Sequence, residues 1–326
     1  MKILVTGATG FVGSHLAARL ARGGDDVRCL ARRPAQAAQL AAIGARFVPG
    51  SLDDRASLEA AVAGVDVVYH LAGVTAAASE REFLAVNAEG TARLVEAVGA
   101  ANPRLARLVY ISSLAAVGPT THGSLLSEAS PCRPVTAYGR SKLGGEEAVR
   151  RGRVPWTIVR PPAVYGPRDP ELLRMFRIVR FGIAPVFGRG RQELSLVYVE
   201  DLSAGIVQAG LVPAAAGRTY HLAHPGVVLA RDLVREVGRA VRGRTPLIVP
   251  VPPAIAARIV RAIGRAAAAA GRRTVVSEDK MAEFLAPAWG TSVELAEREL
   301  GWRPAHDLRS GIAATAAWYR AEGLLR

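Results

Sequence analysis

Cysteine is nearly absent from this 326-residue chain: Cys29 and Cys132 stand alone with no paired ligand spacing, which excludes a disulfide framework and a zinc site. No run of about 18 uncharged apolar residues occurs, so no membrane-spanning helix is expected. Nor does an apolar leader with a cleavage site precede the first apolar run, which predicts a soluble chain in a reducing, cytoplasmic setting. Aromatic residues make up only 6% of the chain, and no basic run interleaves with them, so nucleic acid is not an expected partner. Acidic residues are the scarcer charge, 28 against 42 Lys and Arg, leaving +14. That excess favours anionic partners, but the basic residues are nearly all arginine scattered among alanines, as a compositional bias would leave them. Half of the residues are hydrophobic and no low-complexity tract interrupts them, so the whole chain is expected to fold, as two lobes around a cleft.

What is present begins at the N-terminus. Met1-Lys-Ile-Leu-Val-Thr-Gly-Ala-Thr-Gly-Phe-Val-Gly13 reads as strand, glycine loop and helix: Ile3, Leu4 and Val5 suit a strand buried on both faces, and Leu16 and Leu20 lie one helical turn apart. Glycines at 7, 10 and 13 mark a tight turn, a close approach of backbone to ligand, and close helix–strand packing. A pyrophosphate at a helix N-terminus needs all three, so a bound dinucleotide is the first expectation.

Beta and alpha segments then alternate. Val27 to Leu30 is a strand running into Ala31-Arg32-Arg33-Pro34, where an NAD site would place an acid about 20 positions past the glycines. None is there, and the guanidinium of Arg32 would suit a ribose 2′-phosphate, so NADP is preferred, with NAD the alternative. Ala35 to Ile43 is a helix, Arg46 to Val48 a strand, and Val65 to Leu71 a fourth strand whose His70 reads as a satisfied strand-end residue. One uninterrupted helix is expected from about Glu80 to Ala101, with Asn87 and Thr91 a turn apart. The fifth strand, Leu108 to Ser113, ends in two hydroxyls at the edge where doubly wound sheets bind ligands, and a long loop follows. That loop ends at Tyr138-Gly-Arg-Ser-Lys142, opening a helix to about Arg151. Tyr138 and Lys142, four apart, share a helical face, where an ammonium would favour the phenolate and ready it for proton exchange with an alcohol or ketone.

Together these residues resemble the extended branch of the short-chain dehydrogenase/reductase superfamily, the NAD(P)-dependent epimerases, dehydratases and hydroxysteroid-dehydrogenase-like reductases. The resemblance rests on Thr6 to Gly13, His70-Leu-Ala72, Ile111-Ser-Ser113, Tyr138 to Lys142, Arg160-Pro-Pro-Ala-Val-Tyr-Gly-Pro167, Ser195 to Asp201 and Leu300 to Pro304, and so spans nearly the whole chain. It implies an α/β Rossmann fold with a doubly wound parallel sheet over residues 1–165. A smaller, mixed C-terminal substrate lobe would span 166–326, some of its segments returning to the core. It also implies Tyr138 as general acid/base, Lys142 on the nicotinamide ribose and Ser113, rather than Ser112, on the substrate oxygen. Cofactor contacts would come from Gly7, Thr9, Gly10, Phe11, Val12, Gly13, Arg32, Leu52, Leu71, Ala72, Gly73, Asn87, Tyr138, Lys142, Pro161 and Val164. No metal is expected, and a homodimer through the helices near Glu80 and Tyr138 is.

Departures from the pattern bear on substrate. Nucleotide-sugar members carry an arginine near the position of Leu194 to grip a phosphate, and a tyrosine at the position of Val117; Arg189 or Arg191 remains as a substitute cation. Ser51 stands where an acid often contacts adenine. The expected activity is therefore hydride transfer between nicotinamide and a ketone or secondary alcohol of a hydrophobic substrate, sterol-, 3-oxoacyl- or flavonol-like. A nucleotide-sugar 4-epimerase or dehydratase is the alternative. Beyond Pro167, helices at 172–181, 199–211 and 230–241 and a strand at 219–222 are assigned to the substrate side. Pro250-Val-Pro-Pro253 is read as a chain break. After it, Ala254 to Ala270 forms a helix expected to pack Ile255, Ile259 and Ile263 on the core, with Arg258, Arg261 and Arg265 on another face. A peripheral membrane contact, or a lid for a lipophilic substrate, is the alternative for this helix.

Overall fold

A computed structural model describes residues 1–269 and 280–325. Strand β1 (Lys2–Thr6) buries Ile3, Leu4 and Val5 because parallel strands flank it on both sides and helices cover both of its faces. The chain continues through α1 (Phe11–Arg22), β2 (Asp26–Ala31), α2 (Ala37–Ala42), β3 (Arg46–Pro49), α3 (Arg55–Val62) and β4 (Val67–His70). Then come α4 (Glu80–Leu84), α5 (Gly90–Ala101), β5 (Arg107–Ile111), α6 (Ala137–Arg151) and β6 (Trp156–Arg160). The second half runs β7 (Ala163–Tyr165), α7 (Pro170–Val179), β8 (Ile183–Phe187), β9 (Glu193–Leu194), β10 (Leu196–Tyr198), α8 (Val199–Leu211) and β11 (Arg218–His221). It closes with β12 (Val228–Leu229), α9 (Ala230–Arg242), β13 (Leu247–Val251), α10 (Pro253–Ala269), α11 (Met281–Leu285), β14 (Ala288–Trp289), α12 (Glu294–Leu300) and α13 (Leu308–Ala321).

Seven strands form one sheet in the order β11-β6-β5-β4-β1-β2-β3, with every pairing parallel. The strand order reverses between β1 and β4, and the crevice outside their C-terminal ends is where such sheets hold ligands. The expected α/β doubly wound sheet is therefore present. Leu16, Leu20, Leu202 and Ile206 cover one face, and Leu58, Leu94 and Val149 the other. A separate cluster around Phe176, Val186, Val237 and Tyr319 forms the core of the second lobe.

The structure corrects several expectations. Helix α8 and strand β11 do not belong to the substrate side: α8 packs its Leu202 and Ile206 on the α1 face, and β11 is the seventh strand of the main sheet. Both look like lobe elements in sequence because only the crossover from the other lobe brings them back. The helix expected from Glu80 to Ala101 is broken by a π-helical turn at Ala85–Glu89. Such turns concentrate at functional sites, and here Asn87 within it is fully buried and bonded outside the helix.

Pro250 does not end the chain's regular structure but lies inside β13, which pairs with β8 alone. A two-stranded sheet is all edge, so a missing N–H disrupts no ladder beyond it. On α10 it is Ala256 and Val260 that reach the core, with Met281, whereas Ile255 and Ile259 stay exposed. The side chains of Arg261, Ile263 and Arg265, and residue Ala270, lie outside the described residues. The long loop before α6 is ordered: Thr120 and Leu126 donate backbone bonds to Ala288 and Gly290, and the His221 N–H donates to Glu128.

Candidate active site

The glycine loop leaves β1 with Gly7 in the left-handed region, φ 75°, where a Cβ would lie 2.6 Å from the Ala72 backbone nitrogen. A Cβ on Gly13 would lie 2.2 Å from the Gly7 carbonyl oxygen. Loop, α1 and the end of β4 are thus packed backbone to backbone. No side chain caps the N-terminus of α1, leaving first-turn amides available to an anion.

Beside this loop opens a cleft of about 450 Å³, lined by Gly7, Thr9, Gly10, Arg32, Leu52, Leu71, Ala72 and Gly73 from the expected cofactor set. Phe11, Val12 and Gly13 form the first turn of α1 behind it, and Val12, Leu71 and Val164 pack on one apolar cluster. Asn87 does not line the cleft. Its Oδ1 accepts from the Val74 N–H at 2.8 Å, and its Nδ2 donates to the Val74 carbonyl and to Ser141 Oγ at 2.9 Å, so it ties the β4 loop to α6. Pro161 is buried and accepts from the Leu114 N–H. Ser51, marked in the sequence where an acid often contacts adenine, is a wall residue, whereas Gln36 and Asp53 were missed, since no motif marks them. A glycine cradle that a Cβ would fill, an uncapped helix end and an arginine at the far wall fit a dinucleotide.

Polar order continues under the cleft floor. Buried His70 is held between Thr6 Oγ1 at 2.6 Å and Thr91 Oγ1 at 3.0 Å, and burial lowers its imidazole to about 3. It is neutral and satisfied, as the sequence suggested, and is no base.

Ser112 and Ser113 directly follow β5 and separate in role. Ser112 is buried and donates to Glu146 Oε1 at 2.6 Å; Ser113 Oγ accepts from the Ala115 N–H at 3.1 Å and lies near enough to Tyr138 to act on its phenol. Helix α6, whose N-cap Thr136 accepts from the Gly139 N–H, presents Tyr138, Lys142 and Glu146 at intervals of four along one face. Burial pushes the Tyr138 phenol up to about 12, with the Ser113 hydroxyl acting the other way. Lys142 Nζ donates to the Ile111 carbonyl at 2.6 Å and lies 4.4 Å from the Tyr110 ring centroid; burial lowers it to about 7, against the pull of Glu146. The expected lowering of the phenol by the ammonium is therefore not found: half-buried Tyr138 is held protonated, and Lys142 is turned to the strand end. Desolvation decides both, since each group pays to be charged in a protein-lined site.

Glu146 was not anticipated, although its spacing from Lys142 was a usable signal. Fully buried, it accepts from Arg160 at 2.7 and 2.8 Å and from Arg150 at 2.9 Å. Burial raises its carboxyl, but these cations and Ser112 outweigh that and hold it below the ordinary range. The network locks α6 to the ends of β5 and β6 and so fixes the spacing of Ser113 and Tyr138. Also unforeseen, α11 reaches over the site: Lys280 Nζ lies 5.1 Å from the Tyr138 ring centroid, and Glu283 accepts from Thr136 at 2.7 Å.

Residues 3–223 match the NAD dependent epimerase/dehydratase family. The chain belongs to that family. It is similar to the ceramide reductase of Caulobacter vibrioides, 31% identical over 99% of this chain and 96% of that one. It is also similar to the dTDP-glucose 4,6-dehydratase of Actinoplanes, 28% identical over 98% of each. The solved UDP-glucuronic acid 4-epimerase of Bacillus cereus, in complex with NAD, superposes with a TM-score of 0.77 over 99% of each chain at 21% identity, which establishes the shared fold. The protein is thus an enzyme of the extended short-chain dehydrogenase/reductase type, from an NAD-dependent family acting on small molecules. Among the described residues no helix is long and apolar enough to cross a membrane, and no group of three His, Cys, Asp or Glu is placed to hold a metal.

Proposed function

We propose that this member of the family is a reductase that prefers NADP and transfers hydride between nicotinamide and a ketone or secondary alcohol of a hydrophobic substrate. The observation that carries the reading is that Tyr138, held protonated by burial, shares one face of α6 with Lys142, beside Ser113 just past the end of β5 and one strand from the cofactor cleft. Bound nicotinamide supplies or accepts the hydride at the carbonyl carbon. Tyr138 then delivers the proton to the carbonyl oxygen, or takes it back, while Ser113 bonds to that oxygen. Lys142, released from the Ile111 carbonyl, would hold the nicotinamide ribose and lower the phenol as its charge comes to face the site. Glu146 and Arg160 act by position only.

Arg32 supports NADP: it lines the cleft where the adenosine ribose would lie, and β2 ends in Leu30 and Ala31 with no acid to accept from a 2′-hydroxyl. An apolar substrate is supported by Leu194, which pairs with Val228 and Trp289 in a small sheet where sugar-nucleotide enzymes place a cation, and by the full-length likeness to a ceramide reductase. Arg189 and Arg191 are both exposed. A homodimer through the α4, α5 and α6 region is part of the same reading.

The test is NADPH oxidation with a panel of apolar ketones, using Tyr138→Phe as control. Net NADPH consumption is expected, with turnover in the variant down by about 100-fold or more and cofactor affinity within a few-fold. Stoichiometric, non-exchanging NAD in the purified protein, with no net oxidation of NADPH, would instead establish the epimerase or dehydratase alternative.

A further inference from the structure

Nine of the large hydrophobic side chains left exposed come from α7 and its end, β8, β13, α10 and α11: Ile178, Phe181, Ile183, Phe187, Leu247, Val249, Ile255, Ile259 and Leu285. The parallel pairing of β8 with β13 sets Ile183 beside Leu247, Pro185 beside Val249 and Phe187 beside Val251, so these six side chains share one face. Its opposite face, through Ala184 and Val186, packs on Val179 and Val237. Both strands are therefore apolar on both faces, outward as well as inward.

The outer surface does not stop at the sheet. Phe187 stacks on Phe284 of α11 with ring centroids 5.2 Å apart, and Phe284 and Val251 pack on Ala256, Val260 and Met281. From there it passes onto α10, where Ile255 and Ile259 are each 49% exposed. Phe181 and Leu247, at 70% and 68%, are the most exposed of the set. An apolar patch of this extent marks an interaction surface.

Charge says what kind. Residues 172–192 contain five arginines and no acid, and residues 237–277 contain eight arginines and no acid. These two stretches hold 13 of the 42 basic residues, leaving 29 against 28 acids elsewhere, so nearly all of the net +14 resides in them. Nine of these 13 arginines have described side chains, and they lie in or beside the elements that build the apolar face. Arg180 lies over the Phe181 ring at 4.8 Å, and Arg177, Arg180, Arg242, Arg244 and Arg258 have no acidic partner among the described residues. A second copy of this chain would bring the same positive charge to the contact. An anionic bilayer takes apolar side chains and rewards every arginine at its headgroups.

We propose that the face formed by β8, β13 and α10 docks on an anionic phospholipid membrane. Docking would bring the bilayer against α11, the segment that touches Tyr138 through Lys280 and the α6 cap through Glu283. The inference goes beyond the assigned reaction and does not depend on it, because its test reads membrane binding and not turnover.

The full-length protein is mixed with phosphatidylcholine vesicles, with and without about 30% phosphatidylglycerol, and sedimented at low and high salt. The expected result is binding at least tenfold tighter with phosphatidylglycerol present and weakened by salt. Combined Phe181→Ser and Leu247→Ser substitution is expected to weaken it about tenfold or more with unchanged melting temperature and NADPH affinity. Leu211→Ser, at an exposed leucine at the end of α8 away from this face, leaves it unchanged. If the first variant misfolds, Arg180→Gln with Arg244→Gln removes two headgroup contacts and carries the same expectation. No binding to anionic vesicles, undiminished binding by the folded variants, equal affinity for duplex DNA, or dimerisation through this face without lipid would each overturn the proposal.

Discussion

Replacing Lys142 by Met should change the stability of the protein in a way that depends on pH with a defined sign. Lys142 is buried and titrates at about 7 in the fold against an ordinary 10.5, so between those values the folded state binds fewer protons than the unfolded chain. Stability then rises with pH across that window. At 1.36 kcal/mol per unit, the lysine costs about 4 kcal/mol at pH 7 relative to a side chain that does not titrate, and about 1 kcal/mol at pH 10. Its hydrogen bond to the Ile111 carbonyl, which the neutral amine can also donate, offsets about 1 kcal/mol of that at either pH. Methionine keeps the volume and removes the charge. Wild type should therefore gain about 3 kcal/mol on the Lys142→Met variant between pH 7 and pH 10, whatever the static difference between them. Thermal or urea unfolding of both proteins without cofactor, at the two pH values, measures it. A stability difference that stays constant, or that moves in favour of the variant as pH rises, would refute the assignment of Lys142 as a desolvated amine. Activity is expected to be lost in the variant, so stability and function move in opposite directions at pH 7.

At the far end of the cleft, Arg32→Ala should weaken NADPH about tenfold to a hundredfold, the value of a charge-assisted contact, and leave NADH within about threefold. Equal loss for both cofactors by fluorescence titration would remove Arg32 from 2′-phosphate recognition. Gly13→Ala should force apart α1 and the Gly7 turn, because its Cβ would lie 2.2 Å from a backbone oxygen that no rotamer can move. A loss of about 1 to 3 kcal/mol in unfolding free energy, with cofactor affinity at least tenfold weaker, is expected; a variant of unchanged stability would show that the packing tolerates the methyl group.

Much of this was legible in one dimension because it rests on short-range rules. A strand buried on both faces reads as a continuous apolar run, glycines at 7, 10 and 13 report where backbone meets backbone, and a spacing of four sets Tyr138 and Lys142 on one helical face. Those rules determined the sheet and the glycine turn, and they set Tyr138 and Lys142 on one face of α6. Tertiary structure alone decided their electrostatic state. Desolvation, set by everything packed around α6, raised Tyr138 and lowered Lys142, reversing the expectation that the ammonium would already have lowered the phenol. Nonlocal contact also decided that α8 and β11 return to the sheet, that Asn87 braces a loop and does not line the cleft, and that Glu146 meets Arg160. Periodicity places Ile255 and Ile259 on one side of α10 but cannot say which side the protein covers. The fold left Ile255 and Ile259 exposed, and only the parallel pairing of β8 with β13 set Ile183, Phe187, Leu247 and Val249 on one outer face.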